Sequence, residues 1–330
     1  MATSPFAPSS SKPGYGSIVL DLLPPSTPVL RTVSYQYPLK LVAPDPLPSP
    51  STDSASPSLI HTIFLLTYGG GLVAGDAIHL TISLAPQTRL ILLTQGSTKI
   101  FKTPRPDLLS VQYMTARLAQ HAALVYLPDP VQPFKDSSFT QSQIYELEEG
   151  LGSLCVCDWV TSGRKARGED WDIHVYKSRN EVWSLGQEGK KRLLLRDNLI
   201  LDKTGCTGMQ LAERMDSYAV FGTLIIRGLM FKELAKFFLD EFEALPRIGG
   251  RNWGDTVEVE LTPREKWRVG RQQRENNDGL VWSAANVREF VLVKFASREV
   301  EGSRHFLRDM ITEEGSVLEN FGERAVLCMK

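Results

Sequence analysis

The chain has 330 residues, 42% hydrophobic and 23% charged, ordinary for a globular protein in water and long enough for one large core or two smaller ones. Its 37 basic and 38 acidic side chains leave a formal charge of −1, which removes the electrostatic reason to expect a nucleic acid as partner. Four cysteines in such a length do not make a disulfide framework, and with no apolar leader and no run of about 18 apolar residues to span a membrane, a reducing cytoplasm is the expected setting.

Residues 1–13, rich in Ser, Pro and Ala, read as a disordered N-terminus, and 14–330 as a single domain. Within it, "APDPLPSPSTDSASPS" at 43–58 is a Pro/Ser-rich loop. In "AIHLTISL", Ile78, Leu80, Ile82 and Leu84 alternate with His79, Thr81 and Ser83, the period of a half-buried strand. "RLILLTQ", "HAALVYL", "SLCVCDWV" and "DIHVYKS" predict further short strands, and "NEVWSLGQEGKKRLLLRDNLIL" a strand, a turn and a strand. So many short strands point to stacked antiparallel or mixed sheets, not a doubly wound α/β fold.

Helical spacing comes late. Phe231, Leu234, Phe238, Leu239, Phe242 and Leu245 share one face of a helix that Pro246 stops, and "SRHFLRDMITEE" at 303–314 predicts a second. Between them, 246–280 reads as a polar, Arg-rich surface insertion with a short strand at "TVEVEL". Its acids, Asp255, Glu258, Glu260 and Glu265, argue against a phosphate-tracking stripe.

"YGGGLVAGD" at 68–76 has the look of a phosphate loop, but strand-like sequence lies on both sides of it. An anion loop of that kind needs a helix N-terminus after the glycines, and the Walker Gly-Lys-Ser/Thr is absent. A wide turn or bulge with positive φ is the expectation. Asp76 then either caps its own turn or meets the polar groups of "TQGSTKIF", Gln95, Ser97, Thr98 and Lys99, across a hairpin.

No nucleophile elbow, HExxH, CxxC pair or EF-hand loop is present. His79 and His174 fall on the polar sides of their strands, and Cys155 and Cys157 read as buried small hydrophobes, with no third soft ligand nearby to make a metal clasp. "DWVTSGRKARGEDWD" at 158–172 is either a surface loop with local ion pairs or a docking surface built on Trp159, Trp171 and the arginines.

Five motifs in order, "SYQYPLKL" at 34–41, "YGGGLVAGD" at 68–76, "TQGSTKIFKT" at 94–103, "LPDPVQPFKDSSF" at 127–139 and "SGRKARGEDWD" at 162–172, resemble the urease accessory protein UreD (UreH) family, in a eukaryotic-type form. The resemblance runs from about Gly14 to the C-terminal strand and helix and is strongest over 64–180. It implies a mainly β, β-helix-like fold of stacked sheets with two helices in the C-terminal part. It also implies a non-catalytic scaffold that binds UreF, through it the GTPase UreG, and apo-urease, and assists nickel insertion without a tightly bound cofactor of its own.

An internal tunnel for nickel in transit is a further implication. Asp76 and Thr98 fall where the family places polar residues of that path, Thr98 standing where other members often have Ser, and Glu169 and Asp158 are further candidates. Such hydroxyl and carboxylate oxygens suit brief contact with a hydrated divalent ion. The late helices and the C-terminal "VLENFGERAVLCMK" are candidate partner surfaces. The competing expectation is a β-helical hydrolase using carboxylates such as Asp76 and Glu169, which a retaining glycosidase would hold about 5 Å apart.

Overall fold

A computed structural model of the chain describes residues 12–50, 59–186, 189–203, 208–246 and 261–330. Most of the expected disordered N-terminus, the second half of the 43–58 loop, and nearly all of the "TVEVEL" strand lie outside the described residues.

The strands are β1 (Tyr15–Leu23), β2 (Thr27–Tyr35), β3 (Leu39–Val42), β4 (Leu47–Pro48), β5 (Leu59–Thr67), β6 (Gly71–Leu72), β7 (Ala77–Leu84), β8 (Arg89–Leu93), β9 (Thr98–Ile100) and β10 (Ser110–Leu118). They continue with β11 (Ala123–Tyr126), β12 (Val131–Pro133), β13 (Ser138–Glu148), β14 (Ser153–Thr161), β15 (Val175–Leu185), β16 (Lys191–Asp202), β17 (Val220–Arg227), β18 (Val281–Val287) and β19 (Phe290–Ser297). The helices are α1 (Leu211–Arg214), α2 (Lys232–Glu243), α3 (Pro263–Asn277), α4 (Val300–Glu314) and α5 (Ser316–Phe321).

From β7 to β15 the chain alternates between two sheets. The outer sheet runs β16-β15-β13-β10-β7-β1-β2, and the inner sheet carries β18-β19-β17-β14-β11-β8-β5-β3. Because each turn of chain lays one strand in either sheet, neighbours β7, β10, β13 and β15 are parallel, as are β5, β8, β11 and β14. This coil is the β-helix-like feature, and antiparallel strands close it at its edges.

Hydropathy sorts the two sheets. β7 alternates buried and open positions, as a strand with one wet face must. β14 is buried along its whole length, and β8 after Arg89 and β11 are continuous apolar runs, because the inner sheet is covered on both faces. One core, with Ile18, Leu80, Leu92, Leu124 and Val156, fills the space between the sheets; the other, with Ile91, Val125, Leu234, Phe238 and Met310, lies under the helices.

The two expected helices are α2 and α4, and α3 and α5 join them in the C-terminal part. The block expected as a polar surface insertion contains α3, which begins at a capping box: Thr262 accepts from the Glu265 N–H while Glu265 accepts from that of Thr262. Glu241 of α2, fully buried, receives Arg264, Arg268 and Arg271 of α3, and Arg271 also pairs with Glu275. The C-terminal segment after α4 buries Val317, Phe321, Ala325, Val326 and Met329 in the helix-side core. No helix among the described residues is long and apolar enough to cross a membrane.

Candidate functional site

The glycines of the 68–76 stretch serve the backbone. A single 3-10 turn at Tyr68–Gly70 follows β5, with Gly69 and Gly70 at φ 74° and 73°, and the chain then enters β6 and a second turn with Gly75 at φ 88°. Gly71 is extended but touches its neighbour so closely that a Cβ there would lie 2.3 Å from the Lys99 carbonyl oxygen. Asp76 closes the second turn: its Oδ2 accepts from the Val73 N–H at 2.9 Å, and its own N–H donates to the Val73 carbonyl at 3.0 Å.

Thr98 opens β9, which pairs in parallel with β12 and β6. It borders a cavity of about 290 Å³ lined also by Tyr68, Gly69, Gly70, Gln95 and Gly96, so the two loops face each other. Asp129 of the "LPDPVQPF" motif holds the second loop. Its Oδ2 accepts from the Gly96 N–H at 2.8 Å and the Thr94 hydroxyl at 3.2 Å, while its Oδ1 accepts from Arg304 of α4 at 2.7 Å.

Glu169 is an anchor within its own segment. Both its oxygens receive the Arg164 guanidinium, which also stacks over Phe134 with 3.9 Å to the ring centroid, and the Lys135 and Arg164 N–H groups add longer contacts. The Arg164 hydrogen bonds, outweighing burial, hold its carboxyl below the usual range. A carboxylate so held does not serve as a general acid. The two tryptophans of the segment are core residues and not a docking surface: Trp159 donates to the Pro128 carbonyl and Trp171 to that of Tyr218, each at 2.8 Å.

Asp158 lies deepest. It projects from β14 into the space between the sheets, where Gln141 Nε2 donates to Oδ1 at 2.7 Å, Asn180 Nδ2 to Oδ2 at 2.6 Å, and the Ser178 hydroxyl to Oδ2. These three donors are neutral, and no Lys, Arg or His among the described residues pairs with it. Burial pushes its carboxyl up; the three hydrogen bonds pull against this, and the carboxylate of Asp197 adds to the rise.

These donors belong to a polar band. On the inward face of the outer sheet Gln112, Gln141 and Ser178 stand side by side across β10, β13 and β15, and the next row carries Gln143, Asn180 and Asp197 across β13, β15 and β16. The inner sheet answers with Asp158, Thr223, Lys294 and Ser283 in register across β14, β17, β19 and β18. Lys294 Nζ joins the sheets, donating to Asp197 Oδ1 at 2.7 Å and to the Thr223 hydroxyl at 3.1 Å. There the band opens into a surface cavity of about 440 Å³ bordered by Leu199, Phe221, Thr223, Trp282, Ser283 and Lys294.

Asp76, Glu169 and Asp158 thus have separate hydrogen-bonding partners, Thr98 borders the loop cavity, and of the four only Asp158 lies in this band. Gln141, Gln143, Ser178, Asn180, Asp197, Thr223 and Lys294 were not singled out in the sequence. The signal was phase: in β13, Gln141 and Gln143 share the side of Phe139, Tyr145 and Leu147, and in β15, Ser178 and Asn180 share that of Tyr176 and Val182.

Soft-metal chemistry finds no support in the thiols. Cys155 and Cys157 point into the helix-side core, where burial pushes the first up to about 12 and the second well above its ordinary value. No cluster of three or more His, Cys, Asp or Glu side chains able to hold a metal occurs among the described residues.

Comparison with known proteins agrees with this architecture. The UreD urease accessory protein family matches residues 16–324. Urease accessory protein 4 of Cryptococcus neoformans var. grubii is 31% identical over 320 residues, covering 87% of this chain and 86% of that protein. A urease accessory protein ureD-like chain of Schizosaccharomyces pombe is 29% identical over 88% of this chain and 91% of its own, and urease accessory protein D of Arabidopsis thaliana is 36% identical over 61% and 64%. The chain belongs to the UreD urease accessory protein family.

Proposed function

We propose that the protein is a non-catalytic maturation factor for urease, a scaffold that joins a UreF-type partner and the GTPase UreG to apo-urease, and that its inter-sheet polar band conducts nickel. Family membership supports the maturation role. The observation that carries the transit reading is Asp158: a buried carboxylate held by neutral donors, with no Lys, Arg or His among the described residues paired to it, in a band of oxygen-bearing side chains that reaches the surface.

The chemistry fits passage. Amide, hydroxyl and carboxylate oxygens are hard donors that hold a hydrated divalent ion weakly, whereas a His or Cys cage would store it. Nickel is cargo in this reading, not a resident cofactor. Asp76 and Thr98 are proposed as lining of an approach near the facing loops, and Glu169 as a rigid support beside it. Among the described residues Cys155, Cys157 and Cys328 are free, buried thiols, which suits a reducing cytoplasm.

The hydrolase alternative has less to stand on, because Asp76 is engaged in its own turn and Glu169 is locked ionised on Arg164. Co-expression with UreF- and UreG-type partners and apo-urease tests the scaffold. The reading expects one co-purifying assembly, and a soluble chain that ignores all three would refute it.

A further inference from the structure

The mouth of the polar band contains a cation already. Lys294 sits on β19, half exposed, with its ammonium bound between the Asp197 carboxylate of the outer sheet and the Thr223 hydroxyl of the inner sheet. Cross-strand neighbours complete the surroundings. Ser283 stands opposite Lys294 and borders the same cavity, while Asn180 stands opposite Asp197 and donates to Asp158. The Asn180 amide oxygen is buried and accepts no hydrogen bond, an orphaned acceptor next to two carboxylates.

We propose that this mouth is a transient divalent-cation site and that Lys294 is its exchangeable plug. The inference deepens the transit reading and rests on it for the identity of the cargo. A lysine ammonium on a flexible four-carbon stem holds the position that charge balance demands and can swing to solvent. An incoming hydrated ion then takes over Asp197 Oδ1 and the Thr223 hydroxyl directly, and its water shell supplies the donor that the Asn180 oxygen lacks. The plug makes passage selective: a monovalent ion gains little by displacing an ammonium of equal charge, whereas a divalent ion brings one more positive charge to Asp197 and, behind it, to Asp158.

The test is equilibrium dialysis of the purified full chain against Ni²⁺, with Na⁺ excess as background. Lys294→Met keeps the stem and removes the competitor, and we expect roughly two- to fivefold tighter Ni²⁺ binding, the size of an exposed ion pair released. Lys294→Arg restores the plug and returns affinity to the wild-type value. Asp197→Asn, made alone and with Lys294→Met, weakens binding and abolishes the gain. Folded Lys294→Met protein with unchanged or weaker Ni²⁺ affinity would overturn the proposal, as would a gain that survives Asp197→Asn.

Urease activation by Asp158→Asn separates this inference from the reading beneath it. Impaired activation together with an unchanged Lys294→Met affinity removes the plug and leaves transit. Normal activation together with the expected affinity gain keeps the mouth site and removes transit.

Discussion

Asp158 and Asn180 meet across the interior of the sandwich, carboxylate oxygen to amide nitrogen at 2.6 Å, one from the inner sheet and one from the outer. The contact ties two β layers together with polar atoms where apolar packing is the rule. Three donors converge on that carboxylate, and its removal strands the Asn180 amide and the Ser178 hydroxyl, while Gln141 keeps Tyr176 and Ser178 as acceptors.

Asp158→Leu therefore loses more stability than a volume argument suggests. Each stranded donor costs about 1–3 kcal/mol when buried without a partner, whereas Asp158→Asn keeps the shape and one acceptor and is milder. Urea denaturation of both variants checks the order.

The pH dependence of Asp158 has a definite sign. Its folded carboxyl is raised above the unfolded value of about 3.8, so its contribution is fully present below that value and is lost as pH rises through the folded one. The stability gap between Asp158→Asn and wild type is expected to move in favour of the variant between pH 4 and pH 7, measured by chemical denaturation at both.

Glu241 carries the opposite sign. Burial pushes its carboxyl up, but hydrogen bonds from Arg268 and Arg264 and the charges of Arg268 and Arg271 outweigh this and hold it below its ordinary value. Its stabilisation is present above the unfolded value and lost as pH falls through the folded one. Glu241→Gln at neutral pH leaves Arg271, itself 1% exposed, with Glu275 as its one carboxylate partner among the described residues, and a loss of about 3–5 kcal/mol is expected from breaking a buried charge network. Denaturant midpoints and loss of the α2–α3 contact by hydrogen exchange are the readouts.

Two glycines of one loop answer differently to alanine. Gly71→Ala drives a Cβ against the Lys99 carbonyl and must separate β6 from β9, an overpacking cost of about 1–3 kcal/mol with displacement of Thr98. Gly69→Ala meets nothing within 4 Å but must keep φ at 74°, a cost of about 1–2 kcal/mol without any shift of the neighbouring loop. Thermal melts combined with amide chemical shifts around Thr98 distinguish the two.

Thiol accessibility checks the core assignment. Burial pushes Cys155 and Cys328 up to about 12 and raises Cys157 well above its ordinary value, so these three remain unmodified by a maleimide at pH 8 in the native chain and react after unfolding. Mass mapping of the labelled sites gives the answer residue by residue.

Strand periodicity made the sandwich legible. "AIHLTISL" alternates because one face is wet, and the "LCVC" that precedes Asp158 is uniformly apolar because both faces are covered. The helix α3 was less legible, although Thr262-Pro263-Arg264-Glu265 is a capping box with proline at the first turn. Its polarity hides the burial of Arg271 and Glu275, which depends on Glu241 from another helix. Of the functional candidates, Asp158 was legible only as one acid of the charged 158–172 segment, ranked behind Asp76 and Thr98, and its donors come from strands 17 to 22 residues away in sequence. Asp197 and Lys294 are 97 residues apart and meet only because two sheets stack. No local pattern contains such a contact.

Nickel transit past Asp158 is read out by the nickel content of urease matured with Asp158→Asn. A mixture of this chain, UreF- and UreG-type proteins and apo-urease is supplied with GTP and Ni²⁺, and metal in the isolated urease is counted. The expected result is an assembly that forms as with wild type but delivers markedly less nickel. Full nickel loading by Asp158→Asn, in an intact assembly, would contradict it.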